Sequence, residues 1–170
     1  KTGLLEAADH GTVLFDEINE LSPHCQTLLL HFLQNKNITP IGSLIAKEIH
    51  TRIICTSGQD LQEMIKAGTF RSDLYYRLNV ININIPPLRE RIEDLPVLCS
   101  SMLSQKEGLY HQSRLHMSQE AMDLLNLHNW PGNVRELRAL VQSLATMSEE
   151  ETITMQDLPQ YMQAQSPLPQ

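Results

Sequence analysis

This 170-residue sequence predicts an α/β fold, a parallel sheet with helices followed by a smaller α-helical part, and three observations carry that prediction. Thr12 to Phe15 is a short, mostly β-branched or aromatic run behind Gly11, the composition of a buried strand. Arg52 to Thr56 repeats the pattern, with helical sequence between the two runs, as in sheets built from strand–helix–strand units. Beyond Pro86-Pro87 the strand signal largely disappears, and apolar residues fall at helical spacing.

Each element has a local cause. Gly3 to His10 reads as a helix leading into the first strand. Ser22 and Pro23 open the next helix as N-cap and first residue, with Leu28, Leu29, Phe32 and Leu33 on one apolar face and an end near Asn35. Residues 37–49, with Pro40, Gly42 and alternating Leu44, Ala46 and Glu48, read as a hairpin-like excursion. The second strand ends at Ser57-Gly58, and Asp60 then caps a helix that Gly68 closes. Val80 to Ile85 alternates isoleucine with asparagine, the pattern of a strand with one apolar face.

After the proline pair, a helix starts at Asp94-Leu95-Pro96 and carries Leu95, Leu98, Cys99, Met102 and Leu103. Ser118 caps a second helix with Leu124 and Leu125, and Asn133 with Glu136 makes a capping-box-like start to a third. Met155 to Met162 reads as a last short helix, followed by a frayed tail. The expected division is a sheet-bearing part over 1–90, a helical part over 91–164 and a tail over 165–170, with the boundary near residues 88 to 94.

A chain of this length buries roughly 70% of its unfolded surface and needs no staples. Cys25, Cys55 and Cys99 are odd in number, widely spaced and set among apolar residues, which predicts buried free thiols in a reducing cytoplasm. No apolar run approaches a membrane span, and no signal peptide opens the chain. The balance of 20 acidic against 13 basic residues, a formal charge of −7, opposes direct binding to DNA. Among the seven histidines, His24 and His31 share a helix face but lack a third partner for a metal.

The chemistry concentrates where the first strand runs into Asp16 and Glu17. Ligands of open α/β sheets sit at the C-terminal strand edge. Phosphoryl transfer needs one carboxylate for Mg²⁺, directly or through water, and a second group for the attacking water, so Asp16 and Glu17 can divide those tasks. The competing reading is an acidic turn capping the next helix. None of the seven glycines begins Gly-x-x-x-x-Gly-Lys-Ser/Thr, so the usual cradle for nucleotide phosphates is missing from these residues. Either the chain is part of a longer hydrolase or it is catalytically dead; the abrupt start favours the former.

Three further motifs follow: Phe70-Arg71-Ser72-Asp73-Leu74-Tyr75-Tyr76-Arg77-Leu78-Asn79, Pro86-Pro87-Leu88-Arg89-Glu90-Arg91 and Trp130-Pro131-Gly132-Asn133-Val134-Arg135-Glu136-Leu137. In this order and spacing they closely resemble the AAA+ ATPase domain of bacterial enhancer-binding proteins, the activators of sigma-54 RNA polymerase. The resemblance runs from about Gly3 to Pro159. It implies the C-terminal part of an AAA+ core of the phosphate-loop type, then a helical lid, with ATP and Mg²⁺ as cofactors. Implied partners are sigma-54 polymerase holoenzyme, through loops upstream of these residues, other copies of the chain in a hexameric ring, and DNA only through a separate domain.

The resemblance also implies roles that the residues alone leave open. Arg71 and Arg77 read unaided as surface arginines; the family makes them arginines reaching a neighbour's nucleotide, Arg77 as the arginine finger. Arg135 reads as a solvated charge, or as part of a helix-turn-helix with too few basic residues; the family makes it the second sensor, contacting the nucleotide. Ser57 takes the first-sensor position. Three departures stand out: Ser57-Gly58 keeps a hydroxyl but lacks the usual asparagine amide, Asn19 replaces a glycine, and Ala139 an asparagine. The implied function is ATP hydrolysis coupled to remodelling of the polymerase; the alternative is a regulatory or interaction domain of AAA+ descent that has lost hydrolysis.

Overall fold

The computed structural model describes residues 3–40, 42–104, 115–148 and 150–163, so the expected tail at 165–170 lies outside the described residues. The chain folds as two compact units, residues 1–83 and 84–170.

The first unit begins with a one-turn helix, α1 (Leu4–Ala7), and strand β1 (Thr12–Phe15), followed by a 3-10 turn at Ile18–Glu20 and helix α2 (Pro23–Asn35). Ser22 caps α2, accepting the Cys25 N–H at 3.3 Å, and Lys36 ends it in a left-handed conformation. Strands β2 (Asn37–Ile38) and β3 (Lys47–Glu48) form the expected antiparallel excursion. Strand β4 (Arg52–Cys55) then pairs in parallel with β1, Thr12 opposite Arg52 and Phe15 opposite Cys55. Helix α3 (Leu61–Lys66) is capped by Asp60 and turned by Gly68 at φ 75°, and α4 (Ser72–Leu78) follows.

The core of this unit joins Leu29, Leu30, Phe32 and Leu33 of α2 to Ile18, Ile49, Phe70 and Leu74. Leu28, expected on the buried face, is exposed, and Leu30 is buried in its place. The buried stripe is Gln26, Leu29, Leu30 and Leu33, an i, i+3, i+4, i+7 pattern whose first member is polar and therefore hidden from a hydrophobicity reading. All three thiols are free, but Cys25 is exposed, Cys55 half-buried and only Cys99 buried.

The strand expected over Val80 to Ile85 does not form. Val80, Ile81, Ile83 and Ile85 are 72–82% exposed. A strand exists through its ladder, and no described residue offers this segment a partner.

The second unit starts with 3-10 turns at Leu88–Glu90 and Ile92–Asp94 and continues through α5 (Leu95–Ser104), β5 (His116–Met117), α6 (Gln119–Leu127) and α7 (Asn133–Met147). It closes with β6 (Thr152–Ile153), a 3-10 turn at Met155–Asp157 and α8 (Gln160–Gln163). β5 and β6 make a two-residue parallel pair that the sequence pattern does not announce. Ser118 caps α6 as expected, accepting the Ala121 N–H at 3.2 Å. The last helix is split by Pro159, which donates no N–H to continue a turn.

The start of α7 departs from a capping box. Gly132 is the N-cap, and its N–H donates to Glu136 Oε2 at 2.8 Å. A Cβ on Gly132 would meet Glu136 Cβ at 2.7 Å, so only glycine fits. Asn133 sits at φ 50° and uses its Oδ1 to accept the Leu88 N–H at 2.8 Å, which ties the first 3-10 turn to α7. Trp130 is wholly buried, with its indole N–H donating to Leu125 O at 2.9 Å. No helix among the described residues is long and apolar enough to cross a membrane.

Candidate functional site

The parallel pairing of β1 and β4 brings the residues after each strand together at one sheet edge. Thr56 follows Cys55, the register partner of Phe15, and therefore lies beside Asp16. Its hydroxyl donates to Asp16 Oδ1 at 2.6 Å and accepts the Glu17 N–H at 3.0 Å. Backbone bonds seal the junction: Thr56 N–H to Phe15 O at 2.9 Å and Ile18 N–H to Thr56 O at 2.8 Å. Glu17 is held in a left-handed conformation, φ 53° and ψ 56°, which is uncommon outside glycine, asparagine and aspartate.

The loop after β4 closes on Glu17. The Gly58 N–H donates to Glu17 Oε2 at 3.1 Å and to Asn19 Oδ1 at 3.2 Å. The Ser57 hydroxyl lies 3.0 Å from Asn19 Oδ1 and 2.7 Å from Gln59 O. Asn19 is buried, at 7% exposure. A side-chain amide therefore lies beside Ser57, supplied from the 3-10 turn that follows β1. A Cβ at residue 58 would meet Glu17 Oε2 at 3.0 Å, so glycine there lets the carboxylate approach.

Asp16 and Glu17 are both exposed at this edge. Thr56 occupies Oδ1 of Asp16 and leaves its Oδ2 without a partner among the described residues. Mg²⁺ keeps several waters and is held by one or two carboxylates together with substrate phosphates, so an exposed carboxylate with one oxygen free fits that ion.

The arginines lie elsewhere in the unit. Arg71 forms a bidentate pair with Asp73, Nε to Oδ1 at 3.0 Å and an Nη to Oδ2 at 2.7 Å. That hydrogen-bonded pairing raises the guanidinium pKa above its ordinary value and holds the Asp73 carboxyl below the usual range. Behind Arg71, fully buried Gln26 accepts the Arg71 N–H at 3.0 Å and donates to Leu21 O and Thr69 O at 2.9 and 3.0 Å. Arg77 reaches back to Leu33 O with one Nη at 3.4 Å. Neither arginine bonds to Asp16 or Glu17, and Arg135, in the first turn of α7 in the second unit, is exposed with no ion pair among the described residues.

Three residues that serve this site went unremarked as site residues in the sequence. Thr56 was readable in principle, since a hydroxyl one place beyond a register pair must face its neighbour's carboxylate. Asn19 and Gln26 were not, because a lone amide gives no sign that it turns inward. At the opposite sheet edge, Asp9 Oδ1 accepts the His10 and His50 N–H groups at 3.1 and 2.8 Å, and the two imidazoles stack 5.6 Å apart at 10°. Asp9, His10 and His50 form a metal-like trio. Rings stacked in parallel do not both point a lone pair at one ion.

Comparison with known proteins fits these two units. The family described as the sigma-54 interaction domain matches residues 1–84, and the AAA+ ATPase lid domain matches residues 89–170. The Nif-specific regulatory protein of Azotobacter vinelandii is 44% identical over 154 residues, 91% of this chain and 29% of that protein. The DNA-binding transcriptional regulator NtrC of Rhizobium meliloti (strain 1021) is 39% identical over 168 residues, 98% of this chain and 34% of that protein. The crystal structure of NtrX from Brucella abortus in complex with ATP superposes with a TM-score of 0.86 at 32% identity, covering 99% of this chain and 40% of that one. The chain spans about a third or less of the length of its curated relatives, 27% to 34%. With both halves matched in order, and with the carboxylate edge and Trp130-Pro131-Gly132 turn in place, the chain belongs to the AAA+ family of sigma-54-dependent transcriptional activators.

Proposed function

We propose that this chain supplies the hydrolytic edge, the trans-acting arginines and the lid of an activator that couples ATP hydrolysis to remodelling of sigma-54 RNA polymerase in the cytoplasm. The observation that carries the reading is the convergence of Asp16, Glu17, Thr56 and Ser57 at one C-terminal strand edge. Residues 1–90 are read as the end of the core and 91–164 as the lid. Leu14 and Ile54, register partners on the outer sheet face, are 59% and 42% exposed. Parallel strands are normally covered on both faces, which supports further core packing there in the working protein.

In this reading Asp16, oriented by Thr56, would hold Mg²⁺ directly or through water, an ion whose chemistry there would be to neutralise charge on the phosphates. Glu17 orients and deprotonates the attacking water, and Ser57 senses the nucleotide. Arg135 contacts the nucleotide from the lid, and Arg77 and Arg71 serve the site of an adjacent subunit in a ring. For Arg77 this role requires only loss of a 3.4 Å bond to Leu33 O, whereas Arg71 must leave its bidentate partner Asp73. An arginine acting in trans accelerates transfer by about 10³ to 10⁵.

The test uses a longer polypeptide carrying this chain behind a phosphate-binding loop. Glu17→Gln should leave ATP bound and reduce turnover by about 10² or more, the scale of a lost general base. The 170-residue chain alone should show no tight ATP site by calorimetry. Unchanged turnover in Glu17→Gln would defeat the assignment.

A further inference from the structure

We propose that Asn19 is a positioning residue that sets where the Glu17 carboxylate rests, acting through Ser57 and Gly58. The inference rests on the reading of Glu17 as the group that acts on water.

Asn19 sits two residues beyond Glu17, in the 3-10 turn, yet its side chain turns inward to the loop of the other strand. A buried amide leaves water only when its polar atoms find partners. Here Oδ1 meets the Ser57 hydroxyl and the Gly58 N–H, while Nδ2 donates to Glu20 Oε1 at 2.9 Å. The Gly58 N–H is shared between Asn19 Oδ1 and Glu17 Oε2. A change in the pull of one acceptor alters the hold on the other, so Asn19 and Glu17 compete for one donor.

Ser57 adds a second choice. Its single hydroxyl proton faces both Asn19 Oδ1 and Gln59 O and cannot serve both at full strength. When it turns to Gln59, Asn19 Oδ1 keeps only the Gly58 N–H and draws it harder, which loosens the bond to Glu17. When it turns to Asn19, the Gly58 N–H is released toward the carboxylate. A ligand oxygen that engages Ser57 would thereby move Glu17 without touching it.

The test has two arms. In the 170-residue chain, Asn19→Ala should speed amide hydrogen exchange at Gly58 by about tenfold, with amides in α2 unchanged; a tenfold change corresponds to about 1.4 kcal/mol. In the longer ATP-hydrolysing polypeptide, Asn19→Ala should change kcat by about tenfold to a hundredfold, the scale of a misplaced catalytic group, with ATP KM within about twofold. Asn19→Asp, which keeps an oxygen acceptor, should restore most of the exchange protection. If Asn19→Ala fails to fold, Asn19→Ser, one bond shorter and still polar, takes its place with the same expectations. Unchanged kcat in a protein whose turnover falls with Glu17→Gln would overturn the role of Asn19 while leaving that of Glu17 standing. Turnover insensitive to Glu17→Gln, with Gly58 exchange still raised by Asn19→Ala, would overturn the role of Glu17 and with it this coupling.

Discussion

The two units differ in how completely each buries its own apolar residues. Among the described residues, the second unit closes a core of 17 buried residues around Trp130, and its helices α5, α6 and α7 each contribute to it. The first unit, of similar length, buries eight of its described hydrophobic residues in its core. It leaves Leu14, Ile54, Val80, Ile81 and Ile83 exposed. A helical bundle satisfies its backbone within each helix and needs only side-chain packing. A sheet needs neighbours on both edges and both faces, so the same length of chain goes less far. The unit that carries the proposed site is thus the one that leaves apolar strand residues uncovered, and the lid buries more of its own.

The sharpest way to break that contrast is Trp130→Ala. Removing a wholly buried indole, and leaving Leu125 O with only the His128 N–H as donor, should destabilise the second unit by about 3 to 5 kcal/mol. Methyl NMR signals from Leu140 and Leu144 should broaden or melt early, while those of Leu29 and Leu33 hold. Simultaneous loss of both sets would show that the units do not fold separately.

Gln26→Leu probes the first unit. It deprives Leu21 O, Thr69 O and the Arg71 N–H of partners at a buried position. A loss of about 1 to 3 kcal/mol is expected in urea titration, confined to the first unit. A neutral result would mean that water replaces the amide there.

Thiol chemistry reads both units at once. Burial pushes the Cys55 and Cys99 thiols up to about 11. Because the folded values lie above the ordinary thiol value of about 8.5, the folded state binds more protons than the unfolded one between those limits. The stability they contribute is fully present below the lower limit and is lost as pH rises through about 11. At pH 8 a maleimide should label exposed Cys25 first, half-buried Cys55 later, and Cys99 only as the second unit opens. Mass spectrometry of timed samples checks the order, and early labelling of Cys99 would contradict a closed lid core.

The smallest effect belongs to Leu14→Ser on the open sheet face. In the 170-residue chain it should stay within about 0.5 kcal/mol, as surface changes do. In a longer polypeptide that covers this face, the same change should cost about 1.5 to 3 kcal/mol, the value of a buried leucine side chain. Equal effects in both would mean that the face stays in solvent.

Local signals in the sequence determined much of this molecule. Gly11 and the β-branched run marked β1, Ser22-Pro23 and Ser118 marked helix starts, and Gly68 marked a helix end, because caps and turns act over three or four residues. The motifs sufficed to place the chain in its family, and Asp16, Glu17 and Ser57 stood out as candidates. Only the tertiary structure decided that Thr56 grips Asp16, that Asn19 Oδ1 accepts the Gly58 N–H, and that Gln26 heads the buried stripe of α2. Those outcomes depend on the register of two strands separated by a helix and on polar groups that turn inward. Composition shows an amide or a hydroxyl; only packing shows which buried partner it must satisfy. Val80 to Ile85 makes the same point from the other side, since its alternation is a strand's and its exposure shows that a strand is made by its neighbour.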